Sequence, residues 1–219
     1  VITADREIRT YLVVLAASVV LVTLLLLVHG VKDDPGEAFR SSAFHVVSLA
    51  TTTGYASVDY AQWPVFAPVL LMFLGCFASC AGSTGGGIKM VRMVLLVKQA
   101  RRELVRIIHP RVVNPVTLGG NVVPAQVMNA VLGYMLIYGA ATMGLTMVLL
   151  FTGLDIVTAF SAVVATVNNI GPGLGEVGPA SNFGVLSTVQ IWVLSFAMLL
   201  GRLELLTVLV LFTGHFWRK

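Results

Sequence analysis

The chain has 219 residues, 57% hydrophobic and only 11% charged, with a mean hydropathy of +0.91. Soluble domains carry about a quarter charged residues, so the composition excludes a soluble globule and points to an integral membrane protein with lipid as the solvent of its outer face. The formal net charge of +4 does not suggest a nucleic-acid partner.

In chain order, the first apolar run is Ile8–Val28. It is long for a signal-peptide core and no small-residue cleavage site follows it, so it reads as a spanning helix. Glu37–Ala50 comes next. At 1.5 Å per residue it reaches roughly 20 Å, short of a hydrocarbon core of roughly 30 Å. It is followed by "TTTGY" at 51–55, and then by a second spanning run that starts at Pro64, reaches Ala81 and continues to about Ile108. That run is interrupted by "GSTGGG" at 82–87. Cys76 and Cys80 lie one helical turn apart within it. A disulfide on a regular helix at that spacing would be badly strained, and both read as small buried hydrophobes.

The order then recurs. Pro124–Phe151 spans, Asp155–Val167 is too short to span, "NNIGPG" at 168–173 follows, and Gly184–Phe216 spans. An offset of 117 residues lays Gly54 on Gly171, Val46 on Val163 and Val47 on Val164. Two repeats are therefore expected, 1–112 and 113–219, running in the same sense around an axis along the membrane normal. Both short segments read as re-entrant half-helices. Non-helical backbone at membrane depth is tolerated only where protein or water covers it, so two such loops argue for a water-filled pathway.

Charge placement agrees. With both termini and the stretch "KMVRMVLLVKQARRELVRIIHPR" in the cytoplasm, the inner side holds Arg6, Arg9, Lys89, Arg92, Lys98, Arg101, Arg102, Arg106, Arg111, Arg218 and Lys219. The outer side holds Lys32 and Arg40, with an acidic rim of Asp33, Asp34, Glu37, Asp59, Asp155 and Glu176. This is the positive-inside pattern. The basic stretch serves as an inner anchor, or docks a cytoplasmic partner or anionic lipid. Tyr60, Trp63, Trp192 and Trp217 fit interfacial anchoring.

A half-helix entering from outside aims its C-terminal partial negative charge at the membrane centre. The extended residues beyond it can aim backbone carbonyls at a dehydrated ion, as potassium filters do. The expected filter residues are Thr51, Thr52, Thr53 and Gly54 in the first loop and Asn168, Asn169, Ile170 and Gly171 in the second. The ion, potassium, is held by backbone carbonyls, and the side chains only brace the strand. The bland alternative is an ordinary tight turn. Residues 82–87 (Gly82, Ser83, Thr84, Gly85, Gly86, Gly87) are not a nucleotide loop, since no Lys-Ser/Thr follows. Pro64 to Gly82 and Gly184 to Arg202 are equal lengths of chain, roughly 27 Å of helix, so the glycine loop and Arg202 fall at one depth on the inner side of the filter. An intramembrane charge is expensive and usually functional. Loop and arginine together read as a gate; a packing kink, and snorkelling or pairing with Glu204, are the alternatives. His45 reads as a packed, hydrogen-bonded histidine.

"ATTTGY", "GSTGGGIK", "NNIGPG" and "MLLGRLELLTVL", in that order over essentially the whole chain, resemble the third and fourth repeats of the Trk/Ktr/HKT potassium transporter superfamily, closest to the bacterial TrkH-type uptake subunits. The resemblance implies an all-α integral membrane fold of membrane–pore–membrane repeats. It implies a filter glycine in each, here Gly54 and Gly171, an intramembrane gating loop, here Gly82–Gly87, and a nearby arginine, here Arg202. It further implies a homodimer in the bacterial inner membrane, cytoplasmic nucleotide-sensing regulatory subunits of the TrkA type, no cofactor, and no enzymatic activity. Two of four repeats cannot close a ring, so the chain is expected to be the C-terminal half of a longer protein, an expectation its lack of an initiator Met supports; a half-size subunit that dimerises into one pore is the alternative. The competing readings are a sodium-coupled secondary transporter with re-entrant hairpins and a non-conducting membrane scaffold.

Overall fold

In a computed structural model, residues 6–77, 86–203 and 210 are described. Among the described residues seven α-helices follow one another: α1 Arg6–Val28, α2 Pro35–Ala50, α3 Phe66–Phe77, α4 Met90–Ile108, α5 Ala125–Phe151, α6 Ile156–Val167 and α7 Thr188–Arg202. One two-stranded hairpin, β1 Thr117–Leu118 and β2 Asn121–Val122, is the departure from an all-helical chain. Its turn is Gly119–Gly120, with φ of +57° and +90°, the left-handed pair that a tight two-residue hairpin requires. Among the described residues, two helices are long and apolar enough to cross a membrane, Glu7–Val28 and Ala125–Phe151. The glycine break in the second run is present at Gly86–Lys89, where the backbone is not helical; Gly82, Ser83, Thr84 and Gly85 lie outside the described residues.

The short helices start where their caps dictate. Asp34 accepts the Glu37 N–H at 2.8 Å, with Pro35 at the first helical position. Asp155 accepts the N–H groups of Val157 and Thr158, each at 3.0 Å. Ser187 and Gln190 form a reciprocal capping box that opens α7, three residues inside the run's apolar start at Gly184.

Two cores result. The first gathers Val22 and Leu26 of α1, Val46 and Leu49 of α2, and Leu71 and Leu74 of α3. The second gathers Tyr138 and Leu149 of α5, Ala162 and Val163 of α6, and Leu194 and Ala197 of α7. The units exchange one residue each: Ile170 is buried in the first core and Ile88 in the second. Large apolar side chains cover the outside, Val13 at 61%, Leu136 at 73% and Phe151 at 95% exposure, which suits lipid as solvent. Tyr60 and Trp63 correct the anchoring expectation: both are buried, packed edge-on to His45 with ring centroids 5.6 and 5.1 Å away. Trp192 remains 73% exposed, and Trp217 lies outside the described residues.

Candidate functional site

Both short helices end in the same turn. The N–H groups of Thr51, Thr52 and Thr53 bond to the carbonyls of Val47, Leu49 and Ser48 at 2.9, 3.1 and 2.8 Å. In the second unit Asn168, Asn169 and Ile170 bond to Val164, Thr166 and Ala165 at 3.1, 3.1 and 2.8 Å. The offset of 117 that aligns the glycines aligns every one of these bonds. The conformations agree as well. Thr52 and Asn169 sit at φ of +54° and +52°, and Gly54 and Gly171 at +78° and +117°. For Thr52, a β-branched residue, the left-handed region is costly, so the surrounding structure must hold it there.

The two strands then meet. A Cβ on Gly54 would lie 2.2 Å from the Ile170 carbonyl oxygen, and one on Gly171 would lie 3.3 Å from the Gly54 Cα. Only glycine permits that approach. A cavity of about 370 Å³ opens beside the pair, lined by Thr52, Thr53, Asn169 and Gly171 together with Ser195 and Met198 of α7. Hydroxyls of the half-helices hold the returning chain. Ser48 donates to the Tyr55 carbonyl at 2.7 Å, and Ser161 accepts the Leu174 N–H at 2.9 Å. His45 donates from Nδ1 to the Ser41 carbonyl at 2.7 Å and accepts the Ser57 N–H at Nε2, 3.3 Å away. Both ring nitrogens are thereby satisfied, as expected for a structural histidine.

The base of the second strand is where the inner elements arrive. Asn168 is fully buried. Its Nδ2 donates to the Val164 carbonyl at 2.7 Å and lies 3.4 Å from Cys76 Sγ. The Tyr138 hydroxyl donates to Asn168 Oδ1 at 3.0 Å and accepts from Nδ2 at 2.9 Å. Gly86 passes so close that a Cβ there would lie 2.4 Å from the Asn168 carbonyl oxygen, and one on Gly87 would lie 2.3 Å from Asn168 Oδ1. The Ile88 N–H bonds the Cys76 carbonyl at 2.8 Å, fixing the start of α4 there. On the other side α7 crosses at Gly201, whose Cβ would fall 1.7 Å from the Val167 carbonyl oxygen. Arg202 follows directly and is exposed. Gly86 and Gly201 thus both approach the C-terminal end of α6, and Arg202 follows Gly201 in the chain.

Tyr134 extends the network toward the basic helix. Its hydroxyl donates to the Gly87 carbonyl at 3.4 Å, it stacks on Tyr138 with centroids 6.3 Å apart, and Arg92 of α4 lies 3.9 Å above its ring. A cation over an aromatic face is attracted by the ring quadrupole. Tyr138, Cys76, Tyr134 and Gly201 are site residues that sequence reasoning did not identify. Each acts through a partner far away in the chain, and no local spacing announces them. Among the described residues, no group of three or more His, Cys, Asp or Glu is placed to hold a metal ion.

The family model for cation transport proteins of the TrkH type matches residues 2–219. The chain belongs to the TrkH family. It is 44% identical over 98% of its length to the Trk system potassium uptake protein TrkH of Vibrio parahaemolyticus, and 43% identical over 98% to that of Escherichia coli K12. The crystal structure of the potassium transporter TrkH from Vibrio parahaemolyticus superposes with a TM-score of 0.93 at 43% identity, covering 99% of this chain and 46% of that one. The TrkH-family chain spans about 44% of the length of the curated relatives it matches.

Proposed function

We propose that the chain supplies two of the four filter strands of a potassium uptake pore, as the C-terminal half of a longer TrkH-type protein in the bacterial inner membrane. Thr51–Gly54 and Asn168–Gly171 present backbone carbonyls to a potassium ion, which is substrate and not cofactor. Residues 1–112 and 113–219 are two membrane–pore–membrane repeats of the same sense. The N-terminal half of the same protein completes the ring. Two such proteins form a homodimer, with both ends of this segment in the cytoplasm, where nucleotide-sensing regulatory subunits bind. Gly82–Gly87 and Arg202 form the gate: the loop obstructs the path and the guanidinium raises its electrostatic barrier. The chain is a transporter subunit and not an enzyme.

The observation that carries this reading is the glycine-to-glycine approach of two strands, each hung by identical bonds from a helix C-terminus. Converging C-terminal ends stabilise a cation between them, and a strand pair without side chains in the seam leaves carbonyls to line a path. Sodium and potassium flux through the full-length protein in liposomes tests it. Gly54→Ser, which adds a side chain at a positive φ against the Ile170 carbonyl, is expected to lower potassium preference over sodium about ten-fold or more, a loss of roughly 1.4 kcal/mol of discrimination. An unchanged ratio in folded protein would overturn the filter. Arg202→Ala is expected to raise potassium flux through the same preparation, and a lower or equal flux would overturn the gate.

A further inference from the structure

The connection between α4 and α5 builds a cationic cavity well away from the filter. α4 ends as the His109 N–H closes on the Val105 carbonyl at 2.9 Å, and the Val112 N–H then turns onto the His109 carbonyl at 3.0 Å. The chain doubles back in extended form to Val116, which is buried against Leu95, Met128 and Val131. This return sets Arg111 and Asn114 across from Arg102 and Arg106, neighbours one turn apart on α4. Together with Pro110 and Pro115 they wall a cavity of about 340 Å³.

Three arginines line that cavity and no Asp or Glu does. The adjacent acid on α4, Glu103, accepts from Gln99 Nε2 at 2.9 Å. Like charges held around one space repel, and an anion between them relieves the repulsion. Guanidinium forks match the oxygens of a phosphate group in pairs. Beside the cavity, Ile107, Ile108 and Val113 are 77%, 71% and 92% exposed. A basic face bordered by bare apolar side chains is the pattern of a helix at a lipid interface. Depth agrees, resting here on the membrane placement proposed above. α4 begins at the base of the second filter strand, and Arg102 lies about 20 Å further along its axis. Half a bilayer with its headgroups measures about the same.

We infer that Arg102, Arg106 and Arg111 bind the phosphate of an anionic inner-leaflet lipid, with its acyl chains against Ile107, Ile108 and Val113. The full-length transporter is reconstituted into nanodiscs in which about a third of the lipid is phosphatidylglycerol and the rest phosphatidylcholine. Lipid retained on extraction is counted by mass spectrometry. R102Q/R106Q is expected to weaken phosphatidylglycerol binding about thirty-fold, at the strength each such charge contributes near an anionic surface. R101Q, on the same helix outside the cavity, leaves it unchanged. An equal loss in R101Q means a diffuse basic surface and overturns the site. Displacement of the lipid by inorganic phosphate at matching concentration means a free-phosphate site and overturns the lipid assignment. R111Q, in the loop, repeats the test without altering α4 should the double variant fail to fold. The potassium-to-sodium flux ratio of each variant stays at its unsubstituted value, so failure of the filter reading shows in a different measurement.

Discussion

The two glycine loops share a backbone and differ in how it is held. In the first, Thr51 donates to the Val47 carbonyl at 2.8 Å and meets the Thr53 hydroxyl at 2.8 Å, so the bracing is local and the side chains are exposed. In the second, the residue at the same position is Asn168, buried among α3, α5 and Gly87 and bonded to Tyr138 and Cys76. One loop can be tuned by its own threonines. The other moves only if three other elements move with it, and two of those, α3 and the Gly86–Ile88 segment, carry the edges of the glycine break.

This contrast can be broken from the second loop first. Asn168→Ala leaves the buried Tyr138 hydroxyl without its amide partner and opens a gap at the contact with Gly87. The expected cost is about 2–4 kcal/mol, read as a drop of several degrees in thermal unfolding together with reduced potassium selectivity. Tyr138→Phe keeps the ring and removes one hydroxyl, so about 1 kcal/mol is expected; a selectivity shift with little loss of melting temperature would show that the bond positions the strand. Thr51→Val, isosteric and exposed, is expected to cost about 0.5 kcal/mol and to leave melting almost unmoved. If Thr51→Val proves as damaging as Asn168→Ala, the distinction between local and distant bracing is wrong.

The smallest effect is expected at the outer end of α6. Hydrogen bonds from Thr158, side chain first and then backbone, and from the Val157 N–H hold the Asp155 carboxyl below its ordinary value of 3.8. A lowered carboxylate stabilises the fold fully above that ordinary value and loses its contribution as pH falls through the lowered one. Asp155 is exposed, so solvent screens the effect. The melting difference between the native chain and Asp155→Asn should therefore be slight at neutral pH and fade as acid protonates the carboxylate. A difference that persists in acid would assign the cap's worth to geometry alone.

Much of this was legible in the residues. α1, α5 and both half-helices lie within two residues of their apolar runs, because Asp34, Pro35 and Asp155 are start signals that act locally. The repeat offset was readable from the glycines and extends to individual backbone bonds. The Gly119–Gly120 pair carries a local turn signal, in a short stretch between the basic segment that ends at Arg111 and the apolar run that starts at Pro124. That Asn168 braces the strand was legible from its type, but its partners were not. Tyr134 and Tyr138 look like ordinary members of an apolar helix, and their role appears only when α5 is laid against α4 and α6. Gly201 likewise is one glycine in a helix until α6 ends against it.

The exchange of Ile88 and Ile170 has a consequence for how the chain comes apart. Each unit completes its core with a residue borrowed from the other, and Ile170 rests over Gly75, where a Cβ would lie 2.4 Å from its Cδ1. The boundary near residue 112 is therefore a seam in the sequence and not in the cooperativity. Loosening either unit would uncover a residue that the other unit's core holds, which couples the two. The glycine-to-glycine contact joins residues more than a hundred positions apart, at a high loop-closure cost. The geometry on which ion discrimination would depend thus rests on both helix sets at once.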